Sequence, residues 1–321
     1  MLKLVQMQTV LITGVAGFIG SNLAELLLRR GIEVFGIDNF DDYYPAVIKQ
    51  SNLNPLNAFK QFYFFKADIR NYSVWMKQMP ASVDCVIHLA AKAGVRYSIM
   101  FPQGYEDTNV NGTLKAFELA KVLNARQFIF CSSSSVYGNN PDTPWDESAL
   151  LFPDNPYAKT KVLSENLLYR QSVESDINIM VLRLFSVYGP RMRPDLMMNR
   201  IFESMASGAS IPVFGDGNSQ RDYTYIDDIV NGIYNSMRYD KAKFEIINLG
   251  NSYPVALLDV IKIFEDKLGQ KAKLDFLPVV NGESLCTFAS IEKAGKLLNY
   301  FPKTLIEQGI SKYIEYRFTK H

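Results

Sequence analysis

The sequence predicts an α/β protein: a Rossmann-type doubly wound parallel sheet with a smaller, discontinuous α/β lobe. Three observations carry this. A short apolar, β-branched run, Val10-Leu11-Ile12-Thr13, leads into a glycine-rich turn and then a helical pattern. Short apolar runs alternate with helical segments as far as residue 190, as a parallel sheet with crossover helices requires. An acid, Asp38, closes the second run. It lies about 20 residues beyond the glycines, where such folds place the carboxylate that meets a ribose diol.

The elements follow in order. The turn is Gly14-Val15-Ala16-Gly17-Phe18-Ile19-Gly20, spaced G-x-x-G-x-x-G. It meets three needs: a tight turn, close backbone approach to a pyrophosphate, and helix-to-strand packing with the anion at a helix N-terminus. The helix runs through Ile19, Leu23, Leu26 and Leu27 and stops near Arg29, Arg30 and Gly31. Glu33–Asp38 is the second strand. An acid at its end repels a 2′-phosphate, so NAD is expected rather than NADP. Asn39 to Pro45 is a turn-rich loop. Phe62–Phe65 is the third strand, and Asp68 and Ile69 follow it as candidate adenine contacts. Val83–Leu89 is the fourth, running into Ala90-Ala91-Lys92, where small residues permit close cofactor approach. His88 lies inside that apolar strand and reads as a satisfied core histidine.

Residues 102–123 read as one long helix. Gln127–Cys131 is the fifth strand, delivering Ser132 to Ser135 at its carboxyl end, the edge where open α/β sheets bind ligands. Tyr157 opens a helix to about Val173, and Lys161 sits one turn later on the same face. An ammonium beside a phenol favours the phenolate and lowers its pKa. Ile179–Leu182 is the sixth strand. Beyond residue 190 the alternation is less regular, with helices near 196–207, after Asp227, and near 255–268, 291–298 and 304–316, and a late strand at 246–249. The expected division is 1–190 with about 225–252 as the dinucleotide-binding domain, and 191–224 with 253–321 as the second lobe.

Composition excludes several classes. Of 321 residues, 34 are basic and 33 acidic, so nucleic acid or an anionic membrane has no electrostatic footing. Two histidines leave little for a histidine-based metal site or hydrolase, and no metal is expected. The three cysteines form no C-x-x-C pair, and Met1–Gln8 lacks the apolar core of a secretory signal, so a cytoplasmic setting is expected.

The ordered motifs T-G-V-A-G-F-I-G (13–20), G-I-D-N (36–39), H-L-A-A (88–91), S-S-S-V-Y-G (133–138), Y-A-K-T-K (157–161), Y-G-P (188–190) and R-D-Y-T-Y-I-D-D (221–228) span nearly the whole chain. Together they resemble the extended short-chain dehydrogenase/reductases, and within them the NAD-dependent nucleotide-sugar epimerases. D-N-F-D-D-Y-Y (38–44), A-G-V-R-Y-S (93–98) and G-P-R-M-R-P-D (189–195) look most like UDP-glucuronate 4-epimerases. The resemblance implies Tyr157 as acid/base, Lys161 on the nicotinamide ribose, Ser133 as their partner, a UDP-sugar substrate and a homodimer. It implies cofactor contacts at Gly14, Gly17, Phe18, Ile19, Gly20, Asp38, Asn39, Asp68, Ile69, Leu89, Ala90, Ala91, Lys92, Tyr157 and Lys161.

Substrate contacts are expected at Arg96, Ser134, Ser135, Ser186 and Glu283. Arg191, Arg193 and Arg221 are candidate clamps, because guanidinium forks suit phosphate and carboxylate. Val213 and Phe214 are candidates to frame the base. Related dehydratases follow the catalytic Thr with Asp-Glu, and related decarboxylases carry a Glu two positions after it; Ser134 and Ser135 stand there instead. Departures are Lys92 where Gln is frequent, Ser186 where Thr is frequent, and Val279 to Glu283, which lacks the arginine of galactose-type epimerases. Epimerisation of UDP-glucose or UDP-N-acetylglucosamine is the alternative activity. An NAD-sensing binding protein is the non-enzymatic one.

Overall fold

A computed structural model describes residues 7–278 and 285–319. The strands are β1 (Thr9–Thr13), β2 (Glu33–Asp38), β3 (Phe62–Lys66), β4 (Cys85–His88), β5 (Gln127–Ser133), β6 (Asn178–Leu184), β7 (Ser186–Tyr188), β8 (Ser210–Phe214), β9 (Gln220–Tyr225), β10 (Phe244–Leu249), β11 (Pro254–Ala256) and β12 (Lys273–Leu277). The helices are α1 (Phe18–Arg29), α2 (Ala46–Leu53), α3 (Tyr72–Trp75), α4 (Val95–Met100), α5 (Pro102–Glu106), α6 (Gly112–Val122), α7 (Pro156–Glu174), α8 (Met197–Ser207), α9 (Ile226–Ser236), α10 (Leu257–Leu268), α11 (Glu292–Leu298) and α12 (Ile306–Thr319).

Seven strands form one sheet in the order β3-β2-β1-β4-β5-β6-β10, and every neighbouring pair is parallel. The order reverses between β1 and β4, which opens a crevice above their carboxyl ends. The glycine turn leaves β1 there, and Leu89 to Lys92 leave β4 beside it. Both sheet faces are covered. Val10 and Ile12 turn to one layer and Leu11 to the other; Ile129 and Cys131 oppose Phe128 and Phe130 in the same way. Burial on both faces is why these strands read as unbroken apolar runs.

The smaller sheets carry the later chain. β7 runs parallel to β9, which pairs antiparallel with β11; β8 and β12 form a parallel pair. The chain returns to the large sheet at β10, which pairs with β6.

The expected helix over 102–123 is interrupted. Asp107–Asn111 is a π-helical turn between α5 and α6. Its cause lies in the hydroxyls around Asn109. The Asn109 carbonyl accepts from Thr113 Oγ1 (2.6 Å) and from Ser164 Oγ of α7 (3.1 Å). The Asn109 amide meanwhile accepts from Lys92 N (2.8 Å) and donates to Lys92 O (3.0 Å) and Thr160 Oγ1 (3.0 Å). One extra residue in the turn thus ties α7 to the loop after β4. Such bulges concentrate at functional sites.

Candidate active site

The cleft is built from strand ends. Gly14 has φ +74°, and a Cβ on it would stand 2.8 Å from Ala90 N, so the β1 and β4 loops touch only because that residue is glycine. A Cβ on Gly20 would stand 2.3 Å from Gly14 O, which fixes how closely α1 approaches β1. Gly17 caps α1 with no side-chain hydrogen bond, leaving the first helical N–H groups for a ligand.

Asp38 ends β2 and is 8% exposed; its Oδ2 accepts from Ala16 N (3.1 Å) and its Oδ1 from Phe40 N (2.9 Å). Burial pushes its carboxyl above the usual range, against Lys49 and the two N–H bonds. Asp68, after β3, is held by Arg70 through Nε (2.9 Å) and Nη2 (2.6 Å), and by Asn39 Nδ2 (3.1 Å). The Arg70 guanidinium brings its carboxyl down to about 2.

Gly14, Gly17, Phe18, Ile19, Gly20, Asp38, Asn39, Asp68, Ile69, Leu89, Ala90, Ala91 and Lys92 all line this one cleft. Anion-ready helix N-terminus, close-approach glycines and buried diol acceptor stand together as a dinucleotide requires, so the residues present fit NAD.

Tyr157 is placed by the start of α7. Asn155 Oδ1 accepts from Ala158 N (2.9 Å) and Pro156 occupies the first turn, a capped start that fixes the next side chain. The Tyr105 ring packs edge-on to Tyr157 at 6.3 Å. Lys161, 4% exposed, donates from Nζ to Cys131 O (2.8 Å) and lies 6.0 Å from the centre of the Tyr157 ring. Burial lowers the lysine to about 8.

The phenol does not follow the expected direction. Burial pushes Tyr157 above its ordinary value, while a hydrogen bond with Ser133 and the charge of Arg193 pull it down. Lys161, turned toward the Cys131 carbonyl, is not among the groups that lower it. This corrects the direction expected from spacing alone.

The four serines divide. Ser132 Oγ donates to Glu165, which also pairs with Arg183 in a buried bridge (2.8 Å) behind the sheet edge. Ser133 turns the other way; its Oγ donates to Ser135 Oγ (3.1 Å) and accepts from Ser135 N (3.2 Å). Ser134 is buried in the 3₁₀ turn that follows. Ser186 opens β7, half-buried, opposite Tyr223.

The arginines also divide. Arg193 lines the cleft and grips Asp195 with Nε and Nη2, both at 2.9 Å, and Asp195 accepts from Tyr43 OH (3.1 Å). Arg191 instead binds α1, through Ser21 O (3.0 Å) and Glu25, and is not among the cleft-lining residues. Its expected clamp role is corrected to that of an anchor. Arg221 donates to Gln220 O (2.9 Å) on β9. Arg96 lies 4.1 Å over the Phe214 ring, which brings α4 to β8. Val213 is fully buried in the core and cannot frame a base, because the β-strand alternation turns it away from Phe214; that expectation is corrected too. Glu283 lies outside the described residues.

His88 is the core residue expected: Nδ1 bonds Thr13 Oγ1 (2.7 Å), Nε2 bonds Thr113 Oγ1 (3.2 Å), and burial lowers it to about 3. Sequence reading missed Lys49, Tyr43 and Asp195. Lys49 lines the cleft from α2, a short helix with no clean apolar stripe to reveal it.

Fold and site define a class: a dinucleotide-binding protein of the extended short-chain dehydrogenase/reductase type, with a Tyr-Lys pair beside the cofactor cleft. The NAD dependent epimerase/dehydratase family model matches residues 10–250, and the chain belongs to that family. A UDP-glucuronate 4-epimerase of Thermodesulfobacterium geofontis is 38% identical over 308 residues, 95% of each chain. The Bacillus cereus UDP-glucuronic acid 4-epimerase, solved with UDP-glucuronic acid and NAD, superposes with TM-score 0.91 at 36% identity, covering 98% of this chain and 100% of that one. A Thermotoga maritima UDP-glucose 4-epimerase, solved with UDP-glucose, gives TM-score 0.89 at 28% identity, covering 98% and 100%.

Proposed function

We propose that this protein is an NAD-dependent isomerase that inverts C4 of UDP-glucuronate to give UDP-galacturonate without decarboxylation. The observation that carries the choice of substrate is the make-up of the β5 end. Hydroxyls alone, Ser133, Ser134 and Ser135, follow the strand, and Arg193 places a cation close enough to act on Tyr157. The similarity to UDP-glucuronate 4-epimerases supports the same reading.

NAD, which the glycine turn and Asp38 would hold, would supply the acceptor for the C4 hydride and the source of its return to the opposite face of the sugar. Tyr157 takes the C4 hydroxyl proton and later gives it back. Its burial holds the phenol protonated, so ionisation relies on local help: the Ser133 hydrogen bond and the Arg193 charge. Lys161, held by the Cys131 carbonyl, is poised to reach a ribose hydroxyl.

The C4 ketone makes a β-keto acid, which loses CO2 when its C5–C6 bond lines up with the carbonyl π system. Ser134, Ser135 and Ser186, with Arg193, hold the carboxylate out of that alignment. Arg193 has its Nε/Nη2 edge on Asp195, and among the described residues Nη1 has no acceptor, leaving an outer fork for a second carboxylate. Arg96, Phe214 and Arg221 are read as nucleotide contacts, with Phe214 and Arg221 carried by the lobe of residues 191–224 and 253–321. The substrate's nucleotide supplies binding energy remote from the reacting carbon.

Product NMR after incubation with UDP-glucuronate, UDP-glucose and UDP-N-acetylglucosamine tests the reading. UDP-galacturonate with no pentose is the expected outcome. Turnover of only the neutral sugars would assign the alternative epimerase activity, and no turnover of any would remove the enzymatic reading.

A further inference from the structure

A buried cation stands beside the adenosine end of the cleft without an assigned task. Lys49 is 5% exposed, and its Nζ donates to Asp41 O (2.7 Å), lies 3.9 Å from Asp38 Oδ1 and sits 4.8 Å from the centre of the Tyr44 ring. Burying an ammonium costs several kcal/mol in order of magnitude unless it is paired. α2 itself gives no structural reason for a lysine here, since a leucine or methionine would fill an apolar slot without that cost. The neighbour that gains is Asp38, which would otherwise be an almost fully buried carboxylate held by two backbone N–H groups.

We propose that Lys49 is a positioning residue for cofactor choice: its buried ammonium secures Asp38 as a carboxylate, so that a ribose with a free 2′-hydroxyl is accepted and one bearing a 2′-phosphate is refused. The inference rests on the NAD site described above. Lys49 does not itself offer a phosphate site. Its side chain is 6% exposed, and its Nζ is engaged by Asp41 O, Asp38 and the Tyr44 ring.

The charges facing the pair come from three segments. The β2–α2 loop supplies Asp41 and Asp42 with the Tyr44 phenol, and the loop after β4 supplies Lys92, bridged to Asp41 at 2.9 Å. Arg193 and Asp195 reach Tyr44 from the loop after β7. Asp38 and Asp41 are thus balanced by Lys49 and Lys92. Burial drives Asp38 toward its neutral form, and Lys49 is the largest force opposing that. A neutral carboxyl would no longer repel a phosphate.

The test is calorimetric binding of NAD and NADP between about pH 6 and pH 9. The unaltered protein prefers NAD equally across that range. In Lys49→Met the preference falls by about twofold or more at the acid end, where the unpaired Asp38 takes up a proton, and recovers as pH rises and Asp38 ionises. Lys49→Arg, which keeps the charge, retains the flat profile. A Lys49→Met protein with unchanged preference at every pH overturns the proposal. Should that variant not fold, carbon-13 NMR of Asp38 in the unaltered protein decides: a carboxylate signal at pH 7 supports it and a neutral carboxyl overturns it. Failure of the unaltered protein to bind NAD overturns the cofactor site as well; a failure confined to the variants overturns this inference alone.

Discussion

Tyr157 and Lys161 show how burial decides the chemistry at single residues. Phe substitution at Tyr157 removes one hydroxyl and leaves the cleft-lining residues intact. Turnover of Tyr157→Phe is expected to fall by about a hundredfold to ten-thousandfold, the range for a general acid/base, while NAD affinity by calorimetry stays within about threefold. Lys161 makes a separate prediction. Its value is lowered to about 8 from an unfolded value of about 10.4, so the unfolded chain binds more protons between those limits. Stability should therefore rise as pH increases from about 8 to 10, and that rise should flatten in Lys161→Met when melting temperature is followed against pH. His88, lowered to about 3 from about 6.5, acts with the same sign at lower pH: its contribution is intact above about 6.5 and is lost as pH falls toward 3. At this scale the sequence was partly legible. Tyr157, Lys161 and the glycines stand out in the sequence by their spacing. Arg191 and Arg193 were not distinguishable, because a single loop residue, Met192, separates a side chain bound to α1 from one in the cleft. Nor does spacing report that Lys161 turns to the Cys131 carbonyl.

Among the elements, α7 and the π-helical turn form the frame of the site. Asn109 is 1% exposed and satisfies five polar partners across the loop after β4, α6 and α7. Asn109→Ala strands the Lys92 N–H and C=O, while the Thr160 hydroxyl keeps its bond to Tyr157 O (2.8 Å), and should lower stability by about 1–3 kcal/mol, read from urea unfolding. Glu165 and Arg183, 4% and 3% exposed, brace β5 and β6 behind Ser133. Removing one partner as Arg183→Met leaves a buried carboxylate and should cost about 3–5 kcal/mol, whereas replacing both by apolar residues should recover most of the loss in the same assay.

The inner strands of the large sheet were readable because both their faces are buried, and the edge strand β3 was readable from its aromatic run although Tyr63 is exposed. The π-turn was not, since its cause is a set of hydroxyls on α6 and α7 rather than any break in the 102–123 pattern. β7 and β12 were missed for a similar reason. β7 is three residues long, and Lys273–Leu277 is exposed along most of its length, so neither has the apolar content of a core strand.

For the molecule as a whole, Asp222 ties β9 to the later chain. That carboxylate is fully buried and accepts from Asn251 N (2.7 Å), Ser252 N (3.0 Å) and Ala289 N (3.0 Å), joining β9 to the segment after β10 and to residue 289. In the proposed reaction the C4 hydrogen of a UDP-hexuronate leaves and returns within this site, with Tyr157 moving the proton. UDP-glucuronate carrying deuterium at C4 tests it directly, with the product followed by NMR. UDP-galacturonate that retains the deuterium at C4 is the expected product. Product in which that deuterium has been exchanged for solvent hydrogen would contradict the proposed reaction.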